Sequence, residues 1–440
     1  MPLTLNHIIR KLPTRQGLVL GAVLLAMGAA AIKISGRPSA ALFQIPAIAT
    51  QSSQALPDMQ SAFVSSTQNI HTHAPSLVEL GDGRIRAFWF AGSREGAQDV
   101  DIRSSVFDPA SNRWGSEQSI ANRKDTQRSL RRYVRKLGNP VAHRAADGTL
   151  WLFYVTVSLG GWGGSSITVI TSTDDGATWR PARRLITSPF LNISTLVRGA
   201  PFNYSDGSIG LPVYHEFIGK FGELLHIANN GAITDKTRLS FGNSSLQPVV
   251  LIKSPQQALA LMRYSGASPK RVIATKTEDA GQHWSEPMKT ALANPDAAIS
   301  GVVLPDGRIL MALNDSELDR DVLSLIVSSD RGVSWKTLYQ LEDLSGQPDE
   351  PARYGQVVLE LAKTTDAGIT NAADYAKSAQ QNKCRAQRCG FEFSYPYLIQ
   401  TQSGDFHLAY TWNRSFIKHV RFTRAWLDRQ VESTIDARLH

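Results

Sequence analysis

Carboxylates stand at positions from which they could perform acid–base chemistry. Asp99 and Asp101 are two residues apart, so on a β-strand both side chains would face the same side. Two carboxylates that share a site can divide the work of a general acid and a general base, whereas on a solvated loop they would have no such role. Glu216 follows Tyr214 and His215 at the predicted end of a strand and is a further candidate.

Other polar residues extend this set. Three histidines are candidates for acid–base catalysis or sugar contacts, with structural roles as the alternative: His71, His73 and His215. The chain has two cysteines, Cys384 and Cys389, and their spacing does not predict a metal site. We expect a local disulfide if the chain is exported and buried thiols otherwise. No motif predicts a metal or a cofactor, and we expect neither.

A motif of Ser or Thr, Asp, Gly and Trp recurs after runs of β-forming residues. Its copies, with a degenerate relative first, are Asp108–Trp114, Ser172–Trp179, Thr277–Trp284 and Ser328–Trp335. The Asp can accept bonds from backbone N–H groups in a tight turn, and the Gly allows a positive φ. We therefore interpret Asp174, Asp279 and Asp330 as structural rather than catalytic.

Hairpin turns supply a second periodicity and divide the chain into six units. The turns are Asp82-Gly83, Asp147-Gly148, Asp206-Gly207, Ser254–Gln257, Asp306-Gly307 and Gly404-Asp405. Six such units predict an all-β fold, a six-bladed β-propeller of four-stranded blades whose loops converge on one face; a β-sandwich is the alternative. Residues 343–390 lack strand signals and carry helix formers, so we predict an insertion between the last two hairpins.

The N-terminus predicts export. The uncharged apolar run Gly17–Ile32 follows Arg10, Lys11 and Arg15, the layout of a signal peptide or membrane anchor; a buried core helix is the alternative. We assign residues 1–34 to this segment, 35–65 to a linker and 66–430 to the propeller. We expect a periplasmic protein, either soluble or anchored to the inner membrane by residues 17–32.

The formal net charge of +9 favours an acidic partner. The densest cationic run is Arg123, Lys124, Arg128, Arg131, Arg132, Arg135 and Lys136. It is either a solvated face or a wall that attracts an anionic polymer or lipid headgroups. No nucleic-acid-binding signature is present, which argues against nucleic acid as a partner. The sequence does not predict the oligomeric state.

Several segments, together with the repeats, resemble the sialidase (neuraminidase) superfamily and, more closely, its bacterial BNR-repeat members. The segments are His73–Val78, Trp89–Gly96, Asp99–Ile102, Asn139-Pro140, Pro212–Glu216, Ser394–Pro396 and Tyr410–Arg414. The resemblance covers roughly residues 70–425. It implies a six-bladed propeller with Asp-box hairpins. It also implies a site with three arginines, a Tyr nucleophile with a Glu partner, and an Asp acid.

The resemblance places two of the three arginines. Arg263 and Arg320 each precede an Asp box and match the second and third arginines, although structural ion pairs are an alternative role. The first arginine is replaced by His73, which offers a carboxylate fewer donors than a guanidinium group does. Arg414 is a further candidate for the substrate-binding site.

The resemblance also places the reacting groups. Tyr395 matches the nucleophile, with a purely structural aromatic as the alternative, and Gln247 occupies the place of its Glu partner. Because a tyrosine has a pKa of about 10, it needs help to lose its proton, and a glutamine cannot act as that base. Glu216 and Glu392 are the alternative candidates for that partner, each from another loop. Asp99 or Asp101 matches the acid.

The substrate contacts implied around that acid are Arg94 and Glu95, which stand beside it in the sequence. Three functions follow from the set. The first is an exported, sialidase-like glycoside hydrolase of the exo-α-sialidase type acting on an acidic sugar or glycan. The second is a uronate polysaccharide lyase, and the third is a non-catalytic glycan-binding propeller.

Overall fold

The computed structural model describes residues 17–24, 41–49, 56–188, 192–242, 244–347, 349–365, 369, 371–385 and 387–436. Two compact units are present, Met1–Ala41 and Leu42–His440. In the first, residues 17–24 form a helix, α1. No described helix is long and apolar enough to cross a membrane. The rest of the predicted apolar run, with its flanking charges, lies outside the described residues, so the signal or anchor remains a prediction.

The second unit is a six-bladed β-propeller, as predicted, and each blade is an antiparallel sheet. Blade 1 has β2 (His71–Glu79), β3 (Ile85–Gly92), β4 (Asp101–Asp108), β5 (Arg113–Trp114) and β6 (Gln118–Asn122). Blade 2 has β7 (Lys136–Arg144), β8 (Leu150–Val157), β9 (Ser165–Ser172) and β10 (Arg183–Arg184). Blade 3 has β11 (Leu196–Val197), β12 (Phe202–Asn203), β13 (Ile209–His215), β14 (Phe221–Ile227) and β15 (Ile233–Arg238).

The other blades complete the ring. Blade 4 has β16 (Ser245–Ile252), β17 (Ala258–Tyr264), β18 (Arg271–Thr277) and β19 (Met288–Ala293). Blade 5 has β20 (Ser300–Val303), β21 (Ile309–Leu313), β22 (Val322–Ser328) and β23 (Lys336–Asp343). Blade 6 has β26 (Phe393–Gln400), β27 (Phe406–Trp412), β28 (Phe416–Phe422) and, as its outermost strand, β1 (Met59–Phe63).

Strand β1 closes the ring, because it precedes blade 1 in sequence but pairs with β28 of blade 6 from Met59↔Phe422 to Phe63↔Lys418. These residues fall in the segment predicted as a linker, 35–65, and that prediction is wrong for β1. A five-residue strand carries little local signal, and its partner lies at the other end of the chain.

Helices lie outside the blades. They are α2 (Arg123–Leu130), α3 (Pro351–Thr365), α4 (Ala372–Lys383) and α5 (Arg424–Asp436). Helices α3 and α4 and the hairpin of β24 (Cys384–Arg385) and β25 (Arg388–Cys389) fall within the segment predicted as an insertion. Cys384 and Cys389 form a disulfide across that hairpin.

The strand directions give the propeller two distinct faces. The turns between first and second strands and the Asp boxes lie on one side, which we call the turn face. The loops between second and third strands and the connections between blades lie on the other, the channel-mouth face. Each Asp-box glycine packs closely against the preceding blade, Gly176 on Arg86, for example. The Asp boxes therefore join blades, and they lie far from the channel mouth.

The first strands of four blades carry a β-bulge near the channel mouth. In each, a residue before proline has a positive φ: Ala74, Asn139, Gln247 and Tyr395. Proline suits a bulge because it has no N–H to place in the ladder. A non-glycine residue in this conformation is strained, and such strain concentrates at functional sites.

Candidate active site

Tyr395 stands at the centre of a polar cluster formed by inner strands of different blades. Its hydroxyl oxygen accepts a hydrogen bond from the Arg263 guanidinium group at 3.1 Å and one from the Gln247 side-chain amide at 3.2 Å. The Gln247 amide oxygen accepts a second bond from Arg263 at 3.2 Å. The structure thus brings together three residues that the sequence analysis assigned to one site.

This arrangement favours the ionised form of Tyr395. Burial opposes ionisation, but the positive charges of Arg263 and Arg320 and the bond from Gln247 hold the pKa of the phenol below its ordinary value. Two donors directed at one oxygen stabilise a phenolate more than a neutral hydroxyl. Gln247 therefore helps Tyr395 to lose its proton as a hydrogen-bond donor, although it cannot act as a base.

Two further residues position Gln247. Tyr214 lies 3.4 Å from the Gln247 amide nitrogen, and the Asn139 amide donates to the same Tyr214 hydroxyl at 3.2 Å. Burial raises the pKa of Tyr214, so this hydroxyl stays protonated beside a tyrosine with a lowered pKa. We therefore assign Tyr395 to the chemistry of the site and Tyr214 to the positioning of Gln247.

His73 lies beside Tyr395 but carries no charge. Its ring centre is 4.2 Å from that of Tyr395, and its Nδ1 lies 2.8 Å from the Thr411 hydroxyl. Burial and the nearby Arg414 charge lower the pKa of His73 well below its ordinary value. A neutral imidazole cannot replace the first arginine as a cation.

Arg198 was not identified from the sequence. It is buried and donates to the carbonyl oxygens of Pro75, Tyr395 and Pro396 at 2.7 to 3.0 Å. Because its guanidinium group donates to the backbone of two bulged strands, β2 and β26, Arg198 holds those bulges together rather than facing a ligand. Its sequence signal is an arginine directly after the inner strand β11.

A carboxylate network borders the cluster. Arg263 donates to Asp296 at 2.5 Å, and Arg320 donates to the Asp296 carbonyl oxygen at 2.6 Å. The buried Glu392 accepts from Arg320 at 3.3 Å and from Arg414 at 2.9 Å. Arg263, Arg320 and Arg414 therefore lie together at the channel mouth, and each is already oriented by a carboxyl or carbonyl oxygen.

Glu216 and Glu95 lie at the rim. Burial raises the pKa of the half-buried Glu216, and its carboxylate makes no hydrogen bond or ion pair with a described residue. A raised pKa favours the protonated carboxyl group, which is the form that acts as a general acid. Glu95 forms an ion pair with Arg414 at 2.6 Å. The negative charges of Glu95 and Glu216 both act on Lys136 and favour its charged form, although burial lowers its pKa.

The two predicted acids, Asp99 and Asp101, do not share one face of a strand. Asp99 belongs to the loop before β4 and accepts from the backbone and hydroxyl of Ser93. Asp101 begins β4 and pairs with Arg103 at 3.0 Å. Of the strand and loop alternatives, the structure shows the loop for Asp99, where hydrogen bonds to Ser93 hold it in a turn. Neither aspartate contacts the Tyr395 cluster, and their catalytic role remains a prediction.

A cavity of about 560 Å³ opens beside the cluster. Arg94, Glu95, Glu392 and Arg414 line it together with His71, which the sequence analysis also singled out. The insertion contributes further lining residues, Asn382, Lys383 and Arg385. Lys383 pairs with Glu392 at 2.8 Å, so the insertion is attached directly to the site. Among the described residues, no group of three or more His, Cys, Asp or Glu side chains is placed to hold a metal ion.

Comparisons with known proteins agree with this architecture. The model of the BNR repeat-like domain family matches residues 83–408. No curated protein matches the chain significantly.

Solved structures share the fold. A Hadza microbial sialidase aligns with a TM-score of 0.57 at 15% identity over 79% of this chain, which spans 65% of that protein. The Ruminococcus gnavus intramolecular trans-sialidase, in complex with oseltamivir carboxylate, aligns with a TM-score of 0.56 at 12% identity over 81% of this chain and 95% of that one. A Dyadobacter fermentans protein of unknown function aligns with a TM-score of 0.61 at 13% identity over 83% of this chain and 98% of that one.

Proposed function

The chain belongs to the BNR repeat-like domain family, and we propose that it is an exported, sialidase-like glycoside hydrolase that acts on an acidic sugar or glycan. The observation that carries the proposal is Tyr395, whose hydroxyl accepts bonds from Arg263 and Gln247 and whose pKa is lowered. A tyrosine nucleophile beside arginines suits a sugar that bears its own carboxylate, because the negative charge disfavours a carboxylate nucleophile there.

The proposed reaction has two steps. The Tyr395 oxygen attacks the anomeric carbon, the glycosidic bond breaks, and the leaving oxygen takes a proton from the Glu216 carboxyl group. Water then gives a proton back to Glu216 and attacks the same carbon, which releases Tyr395 and the sugar with retained configuration. Arg320 binds the substrate carboxylate, while Arg263 keeps its hydrogen bond to the Tyr395 oxygen.

One observation favours a lyase as the second candidate. No described carboxylate contacts the Tyr395 hydroxyl, and the neutral His73 packs beside it. In a uronate lyase, Tyr395 as phenolate would take the proton next to the substrate carboxylate. The glycosidic bond would then break with formation of a carbon–carbon double bond, and the leaving oxygen would take the proton that Tyr395 had accepted.

Product analysis separates these functions. We expect the purified chain to release the fluorophore from a fluorogenic sialoside or, failing that, reducing acidic sugar from other acidic oligosaccharides. A product with the ultraviolet absorbance of an unsaturated uronate would instead show that the reaction is elimination by a lyase. Tight binding of acidic glycans without either product would contradict both the hydrolase and the lyase. The chain would then be a glycan-binding propeller.

Export rests on the charge layout around Gly17–Ile32. We expect residues 1–65, fused to a phosphatase that is active only outside the cytoplasm, to give active enzyme. A matched fusion with Leu24→Arg and Leu25→Arg should stay inactive, because two charges in a short apolar run prevent its insertion. An inactive unmodified fusion would contradict export.

A further inference from the structure

A basic ridge lies on the channel-mouth face between blades 1 and 2. It consists of Arg123, Lys124, Arg128, Arg131, Arg132 and Arg135, and most of these side chains are exposed. Arg128 pairs with Asp125, but the other described contacts of the ridge leave its charge intact. Arg132 donates to the Ser158 hydroxyl at 2.8 Å, and Arg135 donates to the Gly160 carbonyl oxygen at 3.3 Å. Apart from Arg128, the cations of the ridge therefore have no carboxylate partner among the described residues.

Apolar side chains project from the loops next to this ridge. Leu159, between the two loop residues that the ridge contacts, is 77% exposed. Phe217 and Ile218, in the neighbouring loop of blade 3, are 61% and 81% exposed, and Phe217 lies against Gly163. Together with the basic ridge, these three residues form one continuous surface, the docking surface.

We propose that the docking surface binds an anionic lipid bilayer. Arginines pair with phosphate groups and retain their charge at any physiological pH. Basic residues near a membrane gain electrostatic energy from anionic lipids, while apolar side chains insert at the headgroup boundary. A soluble acidic polysaccharide fits the charges and the exposed ring of Phe217, but it would leave the aliphatic chains of Leu159 and Ile218 in water. A bilayer buries all three apolar side chains while its headgroups meet the cations.

The docking surface continues into the candidate site. Lys136 follows the ridge in sequence, lies 3.8 Å above the Trp162 ring, and feels the charges of Glu95 and Glu216. Docking would therefore place the channel mouth next to the bilayer surface. An acidic glycan carried on a lipid is then the substrate class that reaches the site. This last step rests on the proposed function, whereas docking does not.

A fluorophore on the full-length chain tests which face meets the lipid. An environment-sensitive dye attached at Leu159→Cys should brighten and shift to shorter wavelength with phosphatidylglycerol vesicles, but not with phosphatidylcholine vesicles. The same dye at Val333→Cys, an 84% exposed position in an Asp-box turn on the opposite face, should not respond. Because both chains carry the same N-terminal segment, any anchoring by that segment cannot produce the difference.

Charge variants complete the test. Lys124→Gln with Arg131→Gln should weaken the apparent vesicle affinity about 30-fold, from about 1 kcal/mol for each basic residue at the surface. Neither side chain makes a described contact, so folding and hydrolysis of soluble substrates should persist. The matched pair Lys276→Gln with Lys336→Gln on the turn face should leave the affinity unchanged.

Three outcomes would overturn the proposal. They are an unresponsive dye at Leu159→Cys, equal losses in the two charge pairs, and a response to soluble polygalacturonate but not to vesicles. Lack of hydrolysis with vesicle binding intact would instead count against the proposed function alone.

Discussion

Replacing Tyr395 by Phe is expected to lower kcat on acidic substrates about 10³-fold, within the range that a positioned reacting group contributes. The change removes the hydroxyl oxygen to which both Arg263 and Gln247 donate. It keeps the ring that packs on His73 at 4.2 Å. Since substrate binding does not need the phenol, KM should change little while kcat falls.

Two measurements separate loss of chemistry from loss of structure. Tyr339→Phe, on the outermost strand of blade 5, should retain the original kcat, and the urea midpoint of Tyr395→Phe should remain close to that of the parent. Activity of Tyr395→Phe within a few-fold of the parent would contradict a role for this oxygen as nucleophile or base.

A companion change tests why Tyr395 ionises. Gln247→Glu places a negative charge where the amide donates to the phenol, and a nearby like charge disfavours the phenolate. Ultraviolet titration of the tyrosinate and the alkaline rise in kcat/KM should both move to higher pH. A shift to lower pH would contradict the view that the neutral donor at position 247 stabilises the phenolate.

The fold could be predicted because its signals are local. Asp boxes and Asp-Gly turns each use a few adjacent residues with specific hydrogen-bond and φ requirements, and together they set the blade register. That register placed Arg263, Gln247 and Tyr395 in one site although 132 residues separate Arg263 from Tyr395. The closing strand β1 escaped prediction because its partner is defined only once the ring forms.

The candidate site was predicted less completely because its remaining members depend on the bulges. Arg198 acts by binding carbonyl oxygens that point inward only in a bulged strand, and Asp296 orients Arg263 from an inter-blade loop. One signal was available: Asn139, Gln247 and Tyr395 each precede a proline in an inner strand. For Asp99 the sequence left a strand and a loop open, because a spacing of two residues fits both, and the structure has it in a turn.

Replacing Glu392 by Gln should destabilise the propeller by about 3 kcal/mol, the lower part of the range for breaking a buried ion pair. Glu392 is 6% exposed. It accepts from Arg320, Arg414 and Lys383 and from the Ser394 hydroxyl. A neutral amide of the same shape cannot compensate three cations. Urea unfolding at neutral pH measures the loss.

The pH dependence has a definite sign. Burial opposes ionisation of Glu392, but Arg414 and Lys383 outweigh it and hold the pKa well below the ordinary value of 4.5. A carboxyl with a depressed pKa stabilises the folded state fully above its unfolded pKa, and this contribution disappears as pH falls through the folded pKa. The stability difference between parent and Glu392→Gln should therefore be constant near neutrality and shrink only below about pH 4.5.

The matched control is Glu360→Gln in α3. Glu360 pairs with Lys363 on the surface with 67% of its side chain exposed, and such pairs contribute little. Equal stabilities of the two variants would contradict the role of Glu392. Because Glu392 joins Lys383 of the insertion, Arg320 of blade 5 and Arg414 of blade 6, its loss should also loosen the channel mouth. Faster proteolytic digestion of Glu392→Gln than of Glu360→Gln under native conditions would report that loosening.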